Sequence, residues 1–450
     1  MIKNIEIENF KSIIQDKIPL SQFTVIIGAN GSGKSNLVKS IDFISNICKY
    51  GLVSAIKSFG SYDGIIPKKI AKRKTKGTHV KIGYSVELPP VDDSEINPNY
   101  PVRHELEFGY SHKQIVRVIS EKLTFSNLFT LTENLYEGLP KLDNLRSSFE
   151  LFKGAGERIG YRVEPSFNSE NLSHYKDWLG SPLSESQINH PNGLRKVLNA
   201  IEKNFRKDNK QSQSLIEPNV KTILDFSTEF DALRRVIRYI RRYDLLLSEL
   251  RCEQSTGDPF MLSSNGDNMP VVLRNMKSDS EYQESLDRIM RSIEEICPHI
   301  NDVESKSLAS GKDFVQFIET KVGRAVESWE SSDGTLRVLA MLLALELQPE
   351  YSTLLMEEPE SNLHPWAIKP LIEHVRQVIK DRNIQVIMTT HSQQVLEMAY
   401  PEEVLVTTRY GDEGTKFRPL ADVVPNANIE IGEIGRMWVK GLLGAVPNIE

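Results

Sequence analysis

The sequence has little cysteine and no long hydrophobic segment. Its 450 residues include three cysteines, Cys48, Cys252 and Cys297, which lie far apart and form neither a CxxC pair nor a cluster with histidine. This argues against a disulfide framework and a structural zinc site. The longest apolar run, residues 336–347, is too short to span a bilayer and contains two charges. The N-terminus is unlike a signal peptide. We therefore expect a cytoplasmic protein with no membrane partner.

The sequence also lacks an excess of positive charge and any internal repeat. Its formal net charge of −6 argues against nucleic-acid binding over the whole surface, although local basic patches remain open. It contains no heptad run long enough for a coiled-coil arm. The length allows more than one domain, or one domain with a large insertion.

The strongest functional signal lies in residues 24–38. Residues 25–27 are β-branched, as in a strand covered on both faces, and residues 28–35 match GxxxxGK[ST] before a helical pattern. Such glycines let backbone N–H groups face phosphate oxygens, while Lys34 reaches the terminal phosphates and Ser35 binds Mg²⁺. A glycine-rich turn with an unrelated lysine would not explain the flanking strand and helix. We expect nucleotide contacts from Gly28, Asn30, Gly31, Ser32, Gly33, Lys34, Ser35 and Asn36.

Two adjacent carboxylates follow a second predicted strand. Residues 353–356 are predicted to form a buried strand, and Glu357 and Glu358 come directly after it, where open α/β sheets bind ligands. We expect Glu357 to hold Mg²⁺ and Glu358 to be the base that polarises the attacking water. Two acids at a strand end are a weak signal alone and a strong one together with the phosphate loop.

Two other segments each allow two interpretations. Ser332 and Gly334 precede a long apolar helix, so Ser332 is either an N-cap or part of a second phosphate site. Taken alone, the residues favour the cap. His391 follows a predicted strand, residues 384–388, and is either structural or a contact for the terminal phosphate or the water.

Two basic segments are also open to two interpretations. Residues 68–76 are rich in lysine, and residues 230–251 have the spacing of one amphipathic helix. Each is either solvated surface or a contact for nucleic acid or an acidic partner. The predicted helix would carry Arg234, Arg235, Arg238, Arg241 and Arg242.

The order of predicted elements indicates an α/β fold. Alternating residues predict antiparallel strands at 79–88, 104–110 and 114–125, whereas strand–helix alternation after residue 314 predicts a mostly parallel sheet. We predict three segments: a first lobe with the phosphate loop and antiparallel strands at 1–125, a mainly helical insertion or partner-docking region at 126–305, and a second lobe at 306–450.

The order of these motifs resembles the ABC-type ATPases, specifically the heads of SMC, RecF and OLD-like proteins. The segments NFKS, GANGSGKSNLV, SDGTLRVLAMLLAL, EEPESNLHP and TTHS are most similar to the compact AAA family ATPase group. Members of that group often serve in bacterial anti-phage defence systems such as PARIS, Septu and Gabija-like ones. The resemblance implies a P-loop ABC-type ATPase head with a mixed sheet core, an antiparallel β subdomain and an inserted, mainly helical region.

The resemblance also implies roles for individual residues. Residues 28–35 would be the Walker A motif, Glu357 and Glu358 the Walker B carboxylates, residues 360–364 the D-loop and His391 the H-loop histidine. Ser332 and Gly334 would form the signature motif. The catalytic residues would be Lys34, Glu358 and His391. Residues near the nucleotide would further include Lys11 and Ser12.

In such ATPases the signature motif of one subunit completes the ATP site of the other. The resemblance therefore implies a homodimer or higher homo-oligomer that uses ATP and Mg²⁺. Three features depart from the family pattern. Glu357 stands where the Walker B motif usually has aspartate, and Asp333 stands where the signature motif of transporters has glycine. No glutamine fits the Q-loop, and Gln114 is a poor candidate. A slow ATPase used as a switch fits these departures best.

Two functions remain in competition. The first is an ATPase that controls or scaffolds a partner effector, a nuclease or a toxin, in anti-phage defence. Because the segment after His391 has no DxD-type metal cluster, we expect any nuclease activity to belong to the partner chain. The second is a RecF-like ATPase that binds DNA in repair or chromosome maintenance. A scaffold without hydrolysis is disfavoured by Glu358, which it would not need.

Overall fold

The computed structural model describes most of the chain. The described residues are 1–68, 78–88, 101–110, 116–126, 148–153, 159–164, 231–254, 258–319, 325–411, 413–425, 429 and 431–444. Predictions for residues 69–76 and for Gln114 lie outside these ranges.

The described strands follow in chain order. They are β1 (Ile2–Phe10), β2 (Ile13–Pro19), β3 (Phe23–Gly28), β4 (His79–Glu87), β5 (Pro101–Tyr110), β6 (Val116–Ser126), β7 (Ser148–Lys153), β8 (Ile159–Glu164), β9 (Arg241–Tyr243), β10 (Ile300–Ser307), β11 (Asp313–Glu319), β12 (Ala325–Glu327), β13 (Thr353–Glu357), β14 (Gln385–Thr389), β15 (Val404–Tyr410) and β16 (Gly414–Pro419).

The described α-helices are numbered in the same way. They are α1 (Lys34–Tyr50), α2 (Leu52–Ser58), α3 (Asp231–Arg238), α4 (Leu247–Leu250), α5 (Met269–Ser278), α6 (Gln283–Ile296), α7 (Asp333–Glu346), α8 (Pro365–Arg382), α9 (Gln393–Glu397), α10 (Leu420–Val423) and α11 (Ile434–Val439). None of the described helices is long and apolar enough to cross a membrane.

The chain divides into two compact units, each made of several segments. The first contains residues 1–20, 43–238 and 410–416, and the second contains residues 21–42, 239–409 and 417–450. These units cut the chain differently from the three predicted segments, because the strand before the phosphate loop pairs with strands from the C-terminal part of the sequence. The three-segment division stays a prediction.

The second unit contains a parallel sheet with the strand order β15-β3-β14-β13-β9. Every residue of β3 and of β14 is buried, as expected for strands covered on both faces. Helix α7 is buried along nearly its whole length because it is apolar on almost every side. A separate antiparallel sheet, β10-β11-β12, lies in the same unit. The predicted parallel sheet is confirmed.

The first unit contains an antiparallel sheet with the order β8-β7-β6-β5-β4-β1-β2. Alternate residues of β4, from Val80 to Val86, are buried, so the predicted one-sided pattern is confirmed. Strands β7 and β8 lie in a stretch that the sequence pattern assigned to helix and loop. Parallel and antiparallel sheets together confirm the α/β class.

The prediction of one helix over residues 230–251 is wrong. Helix α3 ends at Arg238, and the backbone of Arg241–Tyr243 instead forms β9, which pairs in parallel with β13. Ile240 and Tyr243 are buried, and their spacing fits either a helix or this turn into a strand. Pairing with β13 decides between them, and no local pattern reveals that pairing.

Candidate nucleotide site

The register of the parallel sheet brings three loops to one edge. Thr389, the last residue of β14, is paired with Ile26 of β3 on one side and with Glu357 of β13 on the other. The Thr390 N–H donates to the Ile26 carbonyl at 3.1 Å, and the Glu358 N–H donates to the Thr389 carbonyl at 3.0 Å. Because the carboxyl ends of parallel strands meet at one edge, the segments that follow the three strands lie side by side.

The phosphate loop has the backbone that its glycines predict. A Cβ at Gly28 would lie 2.5 Å from the Thr407 carbonyl oxygen, so only glycine fits against β15. Gly31 and Gly33 have φ angles of 74° and 115°, which other residues rarely adopt. Helix α1 begins at Lys34, so its positive end faces the loop. This cradle fits the phosphates of a nucleotide.

Lys34 is held by three acceptors. Its ammonium donates to the Gly28 carbonyl at 2.8 Å and to the Ala29 carbonyl at 3.3 Å, and its Nζ lies 2.8 Å from Nε2 of His391. The residue is only 6% exposed. Burial lowers the pKa of Lys34 to about 8, against the opposing effect of Glu358 and Glu360. The lysine therefore stays mainly charged at neutral pH.

His391 completes this contact as a neutral imidazole. Burial first, and the neighbouring Lys34 second, lower the pKa of His391 below its usual value. A neutral ring that accepts a hydrogen bond from the Lys34 ammonium at Nε2 carries its own proton on Nδ1. Nε2 of His391 is also 3.5 Å from Oε1 of Glu358. The structure thus brings together the three residues predicted to be catalytic.

Glu358 and Glu360 differ in their backbone conformation and in their contacts at this edge of the sheet. Glu358 has a φ of 46°, a left-handed conformation that is uncommon for a non-glycine residue and typical of functional sites. Glu360 accepts the Thr390 hydroxyl at 2.6 Å and the His391 N–H at 3.1 Å. Glu360 therefore fixes the backbone that carries His391, a role that sequence reasoning missed.

Glu357 has a basic partner that the sequence did not suggest. Oε1 of Glu357 accepts from Nε of Arg242 at 2.9 Å, because β9 lies beside β13 with Arg242 level with Leu355. A serine hydroxyl and a carboxylate are the hard oxygen ligands that Mg²⁺ prefers, so the donor types of Ser35 and Glu357 suit the ion. Their role as ligands stays a prediction.

Residues 329–334 form the Ser332 turn, which leads into helix α7. Ser332 Oγ accepts from the Thr335 N–H at 3.1 Å, so Ser332 is the N-cap of this helix. Ser332 and Asp333 are exposed. A Cβ at Gly334 would lie 3.0 Å from the Asn362 carbonyl oxygen, which places the turn against the segment predicted as the D-loop.

Comparison with protein families agrees with this arrangement. A family model described as "AAA domain, putative AbiEii toxin, Type IV TA system" matches residues 119–397, more than half of the chain. The chain belongs to this family of ABC-type ATPases. A second model, "RecF/RecN/SMC N terminal domain", matches residues 1–98 of the ATPase, including the phosphate loop. The resemblance to SMC and OLD-like ATPases is thereby confirmed.

Individual proteins resemble the ATPase more weakly. The OLD nuclease of Thermus scotoductus is 23% identical over 138 residues, which cover 26% of this chain and 26% of the relative. The chain therefore spans about a quarter of that relative's length. An SMC head bound to the C-winged helix domain of ScpA is 14% identical over 93% of this chain and 97% of that chain, with a TM-score of 0.48. The SMC head domain of Thermotoga maritima is 12% identical over 93% and 98%, with a TM-score of 0.40.

Lys11 and Ser12 lie in the first unit of the ATPase, in the turn between β1 and β2. Nζ of Lys11 donates to the Gly64 carbonyl at 3.0 Å, and Ser12 Oγ lies 2.7 Å from the Thr415 hydroxyl. Their predicted position near the nucleotide stays a prediction.

The predicted basic surface is smaller than the sequence suggests. Arg234, Arg235 and Arg238 lie on α3, whereas Arg241 and Arg242 belong to β9. Since Arg242 is occupied by Glu357, it does not extend a basic helix face. DNA contact by the ATPase stays an untested prediction.

Proposed function

We propose that this chain binds Mg²⁺-ATP and hydrolyses it to ADP and phosphate. The observation that carries the proposal is the convergence of Lys34, His391 and Glu358 from three neighbouring strand ends. These groups supply a cation for the phosphates, an imidazole and a carboxylate base at one edge of the sheet. The family supports the same activity.

In the proposed reaction Glu358 takes a proton from a water molecule, and the oxygen of that water attacks the γ-phosphorus. The bond between that phosphorus and the β,γ-bridging oxygen breaks, and ADP leaves with the electron pair. Lys34 stabilises the negative charge of the phosphates, and His391 accepts a hydrogen bond from Lys34 and so positions its ammonium. Mg²⁺, held by Ser35 and Glu357, would neutralise charge on the phosphate oxygens when bound.

We further propose that ATP is enclosed between two copies of the chain, Ser332 and Gly334 of one copy meeting the nucleotide of the other. Support comes from the exposure of Ser332 and from its place at the positive end of a 14-residue helix. A phosphate group can accept from the backbone N–H groups of such an end.

The assembled ATPase would control or scaffold a partner effector, a nuclease or a toxin, in anti-phage defence. Support comes from the family's description, which names a toxin system, and from the similarity of part of the chain to an OLD nuclease. Control of an effector is the role that a slow, ATP-driven assembly suits.

The experiment uses Glu358→Gln to trap the ATP-bound state. Light scattering with and without Mg²⁺-ATP should show that ATP converts this variant to a larger assembly. Adding Ser332→Arg should block the conversion, because the bulky cation occupies the turn. Ser280→Arg, at another exposed serine, should not block it. Normal assembly of the Ser332→Arg variant would refute enclosure by two copies.

A further inference from the structure

The side chain of Arg251 donates to three acceptors in the segment that leads into α7, the last of them on the first residue of that helix. Its Nη1 donates to the Trp329 carbonyl at 2.8 Å, and its Nη2 donates to the Ser331 carbonyl at 3.0 Å and to Oδ1 of Asp333 at 2.5 Å. A planar guanidinium offers donors in a fixed fork, so these contacts define the positions of the three residues together.

The three acceptors lie on both sides of Ser332, which Arg251 does not contact in the described hydrogen bonds. Ser332 has its own capping bond to Thr335, and α7 is buried along nearly its whole length. The helix therefore does not depend on Arg251 for its existence. What Arg251 adds is the placement of the backbone before and after Ser332.

The segment that ends in Arg251 begins beside β13, the strand that ends in Glu357. Residues 241–251 begin with β9, which pairs with β13, and Arg242 of this segment donates to Glu357 at 2.9 Å. Helix α4 then leads directly to Arg251. One short segment thus contacts both Glu357 and the Ser332 turn.

We propose that Arg251 is a positioning residue that holds the Ser332 turn in the conformation that receives the nucleotide of a second copy. This inference rests on the proposed function. It makes residues 241–251 the connection between β13, which ends in Glu357, and the surface offered to the other copy.

Arg251→Ala in the Glu358→Gln background tests the inference. The protein concentration for half-maximal ATP-driven assembly should rise about 10- to 100-fold, since small misplacement of a binding group has effects of this size. ATP binding by the separate chains should change less than about twofold, because the phosphate loop is untouched. Arg251→Lys keeps the charge without the fork and should give an intermediate loss.

Two controls separate positioning from general damage. Lys277→Ala removes an ion pair of similar exposure, with Asp302, and should leave assembly unchanged. Arg251→Ala combined with Asp333→Ala should lose less than the sum of the single effects, because both act on one turn.

The outcomes distinguish the inference from the function on which it rests. If the Glu358→Gln variant itself does not assemble with ATP, the proposed enclosure of ATP by two copies fails. If it assembles and Arg251→Ala assembles equally well, the function stands and the role of Arg251 is refuted. Equal losses in ATP binding and in assembly would also refute it, because they would show general damage.

Discussion

The two regions proposed to meet ATP differ in how they are held. Lys34 is 6% exposed and has three acceptors, and the loop of His391 is fixed by Glu360. The Ser332 turn is exposed and is held from outside by one arginine whose side chain is itself 32% exposed. The first region contains the buried Lys34 and several contacts within one chain, so we expect it to be the more rigid of the two. The second region lies at the surface.

This difference matches the two proposed functions, catalysis in the first region and binding of a second copy in the second. Groups that carry out chemistry must be positioned closely before the substrate arrives, which favours burial and several partners. A surface that receives a second molecule must stay accessible, so its shape depends on a few exposed contacts. Changes in the first region should therefore affect the rate, and changes in the second should affect assembly.

The largest effect should come from Glu358→Gln. Removing the base should lower ATP turnover roughly 10²–10⁴-fold while ATP binding persists, because the amide keeps the shape and loses the basicity. Phosphate release and nucleotide binding measured on the same preparation check this. Glu373→Gln, in an exposed helical ion pair, is the matched control. Unchanged turnover in Glu358→Gln would show that Glu358 is not the base.

A pair of glycine substitutions compares the rigidity of the two regions. Gly28→Ala should weaken ATP binding roughly tenfold or more and destabilise the fold by about 1–3 kcal/mol, because its Cβ meets the Thr407 backbone. Gly334→Ala should change the free energy of unfolding by less than about 1 kcal/mol, since alanine favours the helix and the Asn362 contact opposes it. Denaturant unfolding with ATP titration gives both values. Equal effects on stability would contradict the difference in rigidity.

A smaller effect should follow from Glu360→Gln. The amide can still accept the His391 N–H, but it forms a weaker bond than the carboxylate, so the histidine should be placed less well. We expect turnover to fall about tenfold with little change in ATP affinity. A steady-state comparison of kcat and KM shows this. A rise in KM with an unchanged kcat would assign Glu360 to nucleotide binding instead.

The smallest effect should lie outside both regions, at His374. Its Nδ1 lies 2.7 Å from the Ser292 hydroxyl, and its Nε2 lies 3.4 Å from Oε1 of Glu346, which Arg288 also binds. Burial lowers the pKa of His374 below the ordinary 6.5. As pH falls through 6.5, the unfolded chain takes up this proton before the folded one does, so the free energy of unfolding should fall.

Urea unfolding at two pH values, one above and one below 6.5, checks this for wild type and for His374→Asn. The variant should lose part of the pH dependence. An identical pH dependence in His374→Asn would show that His374 does not contribute. ATP turnover near neutral pH should be unaffected, which separates this region from the other two.

The sequence predicts those parts of the site that depend on local pattern. The strand and loop before Lys34 combine a β-branched run with a glycine motif, and the strand before Glu357 is an apolar run that ends in acids. Both are confirmed as buried parallel strands. Local chemistry determines such elements, because burial on both faces selects the residues that also form the pattern.

The sequence does not predict contacts that depend on which strands become neighbours. Arg242 and Arg251 lie 115 and 82 positions from their carboxylate partners, Glu357 and Asp333. Their segment has helical spacing, yet pairing with β13 makes its first part a strand. The contact of Glu360 with the His391 backbone has the same origin, since it depends on the alignment of β13 with β14.

The most direct test of an ATP site shared between two chains mixes two inactive variants. Lys34→Ala removes the phosphate cation, and Ser332→Arg blocks the turn offered to another copy. If one ATP site takes Lys34 from one chain and Ser332 from the other, mixed assemblies contain one intact site, and turnover should reappear on mixing. Turnover that stays as low in the mixture as in either variant alone would contradict an ATP site shared between two chains.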